Sequence, residues 1–402
     1  MTTTSHPSRR RRRPATGAGR DAARSRHPSG RPATRKPPGR RSPTFVLLGV
    51  VATVLTLIGL VMVLSASSVS DLRSTGNSWH SFQRQLTWAV IGLGALVITL
   101  RVDYRRWRLR ATPFLVVCLG VLALVLVPGV GVTVNGATRW LGAGPLQIQP
   151  AEFAKLGLLL WVCDLLARRW KQMGDARVTL RPVLVALGVT SALLLAQPNL
   201  GTTIVIGTSV LVVLFVAGTP LWRMAGLGLV AGAATTALAL GAGYRRDRVL
   251  AYLDPWADPL NTGYQTIQSM VGIASGGLTG VGLGASRAKW GFLPFAHTDF
   301  IFAIIAEELG LIGAGTVILL FAALGVFGAR AAMAAPDPFG MLLATGITTW
   351  LVVQAVVNLG AVLGVLPITG VPLPFVSFGG SSLVITLAAT GILLNIARQS
   401  EL

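Results

Sequence analysis

Leu293-Pro294-Phe295-Ala296-His297-Thr298-Asp299-Phe300-Ile301-Phe302-Ala303-Ile304-Ile305 carries the chain from a polar stretch straight into an apolar one. The apolar run extends to Phe327 and contains only two charged residues, Glu307 and Glu308. A run of that length reads as a helix that crosses a bilayer. Upstream, the polar side reaches back to Tyr244, making Tyr244 to Asp299 the longest interruption in an otherwise apolar chain. Because it gathers arginines, a lysine, aspartates and a histidine, the chemistry is expected there.

The composition agrees with a membrane protein. Of 402 residues, 52% are hydrophobic and 12% charged, and the mean hydropathy is +0.66, beyond what a soluble domain of this length shows. The net charge of +21 would suggest nucleic acid, but 13 of the 35 Lys and Arg lie in residues 1–44. That segment lacks interleaved aromatics and apolar periodicity, so no nucleic-acid partner is expected. It reads as a disordered basic tail that holds the N-terminus in the cytoplasm, with anionic lipid or a partner protein as alternative roles. It is not a cleavable signal peptide, because the apolar run after it is too long. Cys118 and Cys163 lie in apolar runs, and four histidines, two of them in the tail, exclude a His-built metal cage. A carboxylate-held divalent cation, Mg or Mn, stays open; no other cofactor is expected.

Ten spans are expected, making an all-α polytopic membrane protein. They are Phe45–Leu64, Leu86–Leu100, Ala111–Val127, Ala151–Ala167, Val183–Ala196, Thr202–Ala217, Ala225–Ala242, Phe300–Phe327, Phe339–Leu363 and Leu383–Ala397. A membrane domain thus covers 45–397, with a large loop at 243–299 between the seventh and eighth spans and a short tail at 398–402. With the basic tail inside, thirteen loop Lys and Arg fall inside and eight outside, five of the eight in the large loop. Both termini are then cytoplasmic and the large loop is extracytoplasmic.

Several constellations could carry chemistry on the outer side. Glu152 and Lys155 share a helix face, either as a structural ion pair or as part of a substrate site. Gln197-Pro198-Asn199 reads as a turn whose side chains could also face a polar cavity. Gly276-Gly277-Leu278-Thr279-Gly280-Val281-Gly282-Leu283-Gly284 has no strand before it and is no nucleotide loop; an interfacial or re-entrant segment is expected. Asp299 at the mouth of a span could be a desolvated base or a helix cap. Glu307 and Glu308 are too costly to bury in lipid without purpose. The last constellation runs from Asn358-Leu359-Gly360 to Leu366-Pro367-Ile368-Thr369-Gly370 and then over Leu373 to Ser382, where Gly and Ser at a helix start offer free amides to an anion or make a tight packing turn.

Taken together, these segments resemble the SEDS family of polytopic cell-wall proteins. The resemblance rests on Asn135-Gly136-Ala137-Thr138-Arg139-Trp140, Gln149-Pro150-Ala151-Glu152-Phe153-Ala154-Lys155, Gln197-Pro198-Asn199-Leu200-Gly201-Thr202, Gly263-Tyr264-Gln265, His297-Thr298-Asp299-Phe300, Glu307-Glu308-Leu309-Gly310 and Pro374-Phe375-Val376-Ser377-Phe378-Gly379-Gly380-Ser381-Ser382. Val63-Leu64-Ser65-Ala66-Ser67-Ser68 and Trp256-Ala257-Asp258-Pro259 look FtsW-like, the division branch, rather than RodA-like, the elongation branch. The resemblance implies an inverting peptidoglycan glycosyltransferase that polymerises lipid II at the outer membrane face, with Asp299 as general base. It further implies a substrate site drawn from Arg248, Lys289, Arg245, Glu152, Lys155, His297, Gln265, Gln268, Ser269, Ser377, Gly379, Gly380 and Ser381. The implied partners are membrane lipids, a single-span class B penicillin-binding protein and other division proteins, at the septal cytoplasmic membrane. Phe295 and Phe378 depart from the family, where Glu and Tyr are frequent. A lipid II flippase and a division scaffold are the competing readings.

Overall fold

The computed structural model describes residues 42–134, 136–143, 146–241 and 243–400. The first helix, α1 (Pro43–Thr75), opens on Ser42, whose side chain accepts from the Phe45 amide at 3.2 Å. Residues 1–41 of the expected tail lie outside the described residues, and Ser42 to Thr44 belong to the helix start instead. Then follow α2 (His80–Arg101), α3 (Trp107–Val125), α4 (Pro150–Arg168), α5 (Leu180–Ala196), α6 (Leu200–Val216) and α7 (Leu221–Leu240). The large loop contains two helices, α8 (Gly243–Leu253) and α9 (Tyr264–Gly276). The chain closes with α10 (Ile301–Met333), α11 (Pro338–Val362) and α12 (Gly380–Gln399).

Each expected span overlaps one helix, α1 to α7 or α10 to α12. Seven of these, α1, α2, α3, α7, α10, α11 and α12, are long and apolar enough to cross a bilayer. The apolar helices α5 and α6 have 17 residues each, or about 25 Å at the α-helical rise. Four ionisable residues, Glu152, Lys155, Asp164 and Arg168, interrupt α4.

Two features depart from the expected all-α chain. A small antiparallel sheet in the order β1-β2-β3 joins α3 to α4, formed by β1 (Val132–Val134), β2 (Ala137–Ala143) and β3 (Leu146–Ile148). Its register pairs Thr133 with Thr138 and Gly142 with Gln147. Strands of three to seven residues carry too little alternation to stand out beside long apolar runs. The second departure is α1, which runs past its expected end at Leu64 to Thr75. Its polar last turns meet protein: Ser65 donates to Glu308 at 2.7 Å, and Asp71 accepts from the Ser81 amide and hydroxyl at 2.8 Å.

The large loop is anchored by a break in α10. Gly310 has φ 64° and ψ −164° inside the helix, which strands backbone groups on both sides of it. The Gly-rich run supplies their partners. Val281 and Gly282 amides donate to the carbonyls of Glu307 and Glu308 at 3.0 and 3.1 Å, and the Leu311 and Ile312 amides donate to Gly277 and Leu278 at 2.9 and 3.2 Å. In a membrane protein such a break is tolerated only where protein satisfies it. The glycines are required on both sides: a Cβ on Gly310 would collide with the Gly280 amide, and one on Gly280 with the Glu308 carbonyl. The expected interfacial run is therefore the filling of a broken helix.

Glu307 and Glu308 extend this anchor into the loop. Glu307 accepts from the Ser286 hydroxyl at 2.5 Å and the Arg287 amide at 2.9 Å. Glu308 accepts from Ser65 and pairs with Lys289 at 3.4 Å. Of the four partners in this network, Ser65, Ser286 and Lys289 are buried. The two carboxylates thus hold Ser286 to Lys289 against α10, so the chain enters Leu293–Asp299 from a defined point.

The interior helices are α11 and α12. Thr99 of α2 donates to the Ala388 carbonyl at 2.9 Å, and Asn395 of α12 accepts from the Tyr104 amide at 3.0 Å and donates to Leu100 at 2.7 Å. On the side expected to be cytoplasmic, Asp337 caps α11 through the Gly340 amide and pairs with Arg105 at 2.9 Å, while Asp164 pairs with Arg108 at 2.9 Å and Arg168 at 2.8 Å. Gly310→Ala is expected to destabilise the purified protein by about 3 kcal/mol, the combined scale of a strained left-handed residue and an overpacked contact. A thermal-unfolding midpoint in detergent, compared with that of Gly315→Ala, which meets open space, checks it.

Candidate functional site

Asp299 lies between two loops that are fastened to each other. The first is its own turn, where the Thr298 and Phe300 amides both donate to the Phe295 carbonyl, at 3.0 and 3.3 Å. The second runs from Pro367 to Gly379, between α11 and α12. Asn358 of α11 joins them: its amide nitrogen donates to the backbone carbonyl of Asp299 at 2.7 Å and to that of Val371 at 2.8 Å. Ser377 donates to the Thr298 carbonyl at 2.6 Å and accepts from the Leu373 amide at 2.8 Å. The Phe378 amide donates to the His297 carbonyl at 3.0 Å. These bonds fix the backbone on both sides of Asp299 and leave its carboxylate outside the network, against Gly370.

The helix-cap alternative for Asp299 is not realised. Phe300 occupies the N-cap position of α10, and no side chain caps the helix. Partial burial instead pushes the Asp299 carboxyl up to about 6, opposed by the positive charges of Arg248 and Arg139. Arg248 comes from α8, and its guanidinium donates to the Ile368 carbonyl at 3.4 Å. Arg139 comes from β2 and donates to the Gln197 carbonyl at 2.9 Å and to that of Pro198. Two guanidinium groups from distant parts of the chain therefore bear on one carboxylate.

His297 and Ser377 belong to the same pair of loops. The His297 ring meets Phe378 edge-on at 5.5 Å between centroids, and the Arg84 guanidinium lies over the Phe378 ring at 5.7 Å from its centroid. Burial lowers the His297 pKa below its ordinary value, and Asp71 opposes that shift, so this imidazole favours the neutral form.

Several expected contact residues are instead braces. Glu152 and Lys155 pair at 2.9 Å and are about 1% exposed. Lys155 also donates to Gln354 at 2.7 Å and lies 4.8 Å from the Trp350 ring, and Gln354 donates to the Pro372 carbonyl at 2.9 Å. The pair therefore supports the Pro367–Gly379 loop from within the protein. Ser269 donates to the Val362 carbonyl at 2.7 Å, tying α9 to α11. Ser381 accepts from the Gln149 amide at 3.1 Å, and the Gly379 amide donates to Gln85 at 3.2 Å. Gly380 packs on Trp88. Lys289 is bound in the Glu308 network, and Gln265 and Gln268 are half-buried on α9. The side chain of Arg245 lies outside the described residues.

The Gln197-Pro198-Asn199 turn is structural: Asn199 caps α6 through the Thr202 amide, and Gln197 donates to Leu122 at 2.8 Å. Two residues at the site were absent from the sequence-based selection, Arg139 and Asn358. Both stand in stretches singled out in the sequence, Asn135–Trp140 and the constellation that opens at Asn358, but neither is among the substrate-site residues that the resemblance implies. A resident divalent ion does not fit the donor set, which offers one carboxylate beside two arginines. Among the described residues no group of three His, Cys, Asp or Glu could hold a metal.

Residues 45–402 match the FtsW/RodA/SpoVE family of cell cycle proteins. The chain belongs to that family. It is 42% identical over 352 residues to "Probable peptidoglycan glycosyltransferase FtsW" of Geobacter metallireducens, covering 88% of this chain and 94% of that protein. It is also 42% identical over 357 residues to stage V sporulation protein E of Bacillus subtilis, covering 89% and 97%. Among solved structures, it resembles a chain from work on structural coordination of polymerization and crosslinking by a peptidoglycan synthase complex, with a TM-score of 0.71 and 36% identity. Rod shape determining protein RodA of Thermus thermophilus matches with a TM-score of 0.66 and 32% identity. Both likenesses cover 88% of this chain and 97% of the other. Family membership and the apolar helices together make this a multi-pass membrane protein.

Asn358→Ala removes the bonds that hold the Asp299 backbone to Val371. It is expected to lower glycosyltransferase turnover by about tenfold, the scale of a small displacement within an active site. The KM should change much less, which initial-rate measurements over substrate concentration resolve.

Proposed function

We propose that this protein is a peptidoglycan glycosyltransferase that polymerises lipid II at the outer face of the cytoplasmic membrane. Asp299 takes the proton from the acceptor's sugar hydroxyl as that oxygen attacks the donor's anomeric carbon. The bond from that carbon to the lipid pyrophosphate breaks as the new glycosidic bond forms, with inversion. Arg248 offsets the charge that gathers on the departing pyrophosphate, and Arg139 adds to the positive field from the opposite loop. The observation that carries this reading is a part-buried carboxylate on a backbone braced by Asn358 and Ser377, its own oxygens outside that bracing and two arginines in its field; burial raises its pKa toward that of a base useful at neutral pH. The relatives' printed activity supports the reaction class.

A partner transpeptidase with a single span, a class B penicillin-binding protein, fits the complex in which a similar chain was solved. We place both termini in the cytoplasm on the distribution of basic residues and the protein at the septum on its FtsW-like segments. The flippase reading drew on a broken helix with two buried carboxylates. Here the break is filled by the Gly-rich run, and both carboxylates are bound by Ser65, Ser286 and Lys289, so no observation favours it.

Purified protein with lipid II and its partner should make glycan polymer, and Asp299→Ala should lower the rate by at least about a hundredfold, the usual scale for loss of a general base. Unchanged size-exclusion behaviour would show that folding is intact; normal polymer from that variant would refute the mechanism. In wild type the rate should fall as pH drops through about 6, because Asp299 must be ionised to accept a proton. Arg248→Gln removes a charge that stabilises the carboxylate, so the acid limb should move to higher pH. A limb that stays in place would exclude Arg248 from the field at Asp299.

A further inference from the structure

Helix α8 has two distinct faces. Taking 100° per residue, Arg246, Leu250 and Leu253 fall on one side, and Arg248 and Ala251 on the other. Ala251 is buried, whereas Leu250 is 50% and Leu253 70% exposed. The exposed series continues beyond the helix with Trp256 at 68% and Leu260 at 81%. The turn that presents them is fixed, because Asp254 accepts from the Trp256 amide at 3.1 Å and Asp258 accepts from Asn261 and Thr262 at 3.0 and 3.2 Å. Four large apolar side chains with an arginine at one end thus project from a rigid element that packs on α7 and on the Pro255–Ala257 turn.

The place of α8 in the chain selects what covers that face. Helix α7 is apolar enough to cross a membrane and ends at Leu240, and α8 opens at Gly243. With so short a connection, α8 must start at the membrane surface where α7 emerges. A short helix there, with two Leu and an Arg on one face and a Trp just past its end, matches the chemistry of a phospholipid interface: apolar side chains among acyl chains, indole near the headgroups, guanidinium on phosphate. We propose that Arg246, Leu250, Leu253, Trp256 and Leu260 seat α8 in the outer leaflet, and that this seating presents Arg248, on the opposite face, to Asp299. The lipid surface is then part of the active-site scaffold. The effect on rate rests on the polymerase reading above; the seating itself does not.

The test uses the full chain in nanodiscs containing anionic phospholipid. Leu253→Cys labelled with a polarity-sensitive fluorophore is measured with lipids that carry a nitroxide quencher near the headgroup or near the chain end. Cys118 and Cys163 are buried, and the unsubstituted protein treated alike controls for them. The proposal expects blue-shifted emission quenched most by the shallow nitroxide, with or without polymerase activity. Emission typical of water, or protection that appears only when the partner chain is added, would overturn it.

The second arm follows the acid limb of the polymerisation rate. Leu250→Glu with Leu253→Glu should lower the saturating rate by roughly tenfold or more, the scale of a lost charge contact in the transition state, and move the limb to higher pH. Leu253→Phe, which keeps the face apolar, should retain the wild-type limb. If the double variant is as slow but its limb stays in place, the link from the lipid surface to Arg248 is overturned. Failure of wild type to polymerise would refute the function and leave the fluorescence result to decide the seating.

Discussion

The structure depends on a requirement of backbone chemistry: a helix that breaks inside a membrane protein must find other partners for its stranded amides and carbonyls. At Gly310 those partners come from Gly277 to Gly282, more than twenty residues upstream. The exchange is possible only because glycine lets two backbones approach to hydrogen-bonding distance. It ties the middle of the large loop to α10, and Glu307 and Glu308 then bind the next turn through Ser286 and Arg287. The segment leading to Asp299 is therefore held at both ends, by the break below it and by the Pro367–Gly379 loop beside it.

Within that frame most polar side chains brace the one proposed to act. Asn358 and Ser377 spend their hydrogen bonds on backbone carbonyls around Asp299. Glu152 and Lys155 act at one remove through Gln354. The carboxylate itself takes no part in this bracing, so it stays available to a substrate proton. Arg248 and Arg139 stabilise its ionised form but do not outweigh burial, which leaves a base stronger than an ordinary aspartate.

Much of the fold and part of the site were legible in the sequence. Long apolar runs announce helices, so every expected span overlaps one, and Asp299 stands out as the sole carboxylate between Leu260 and Glu307. Helix ends were less legible because polar turns such as Ser65 to Asp71 stay helical when protein, not lipid, surrounds them. The structural use of Lys289, Lys155 and Ser269 depends on partners roughly 20 to 200 residues away, which no local pattern encodes. Asn358 opens a stretch singled out in the sequence, but its role as a brace depends on Asp299 and Val371, 59 and 13 residues away. The Gly-rich run was recognised as unusual, but its role follows from the helix break it fills, and a glycine in a helical pattern does not by itself announce a break.

The central claim is that partial burial makes Asp299 a base with a pKa near neutrality, and its carboxyl titration tests this most directly. Protein carrying carbon-13 in its aspartate carboxyls, in nanodiscs, can be titrated by NMR, with Asp299→Asn identifying the resonance. The structure predicts a midpoint at about 6. A midpoint at or below the ordinary aspartate value of about 4 would contradict the account.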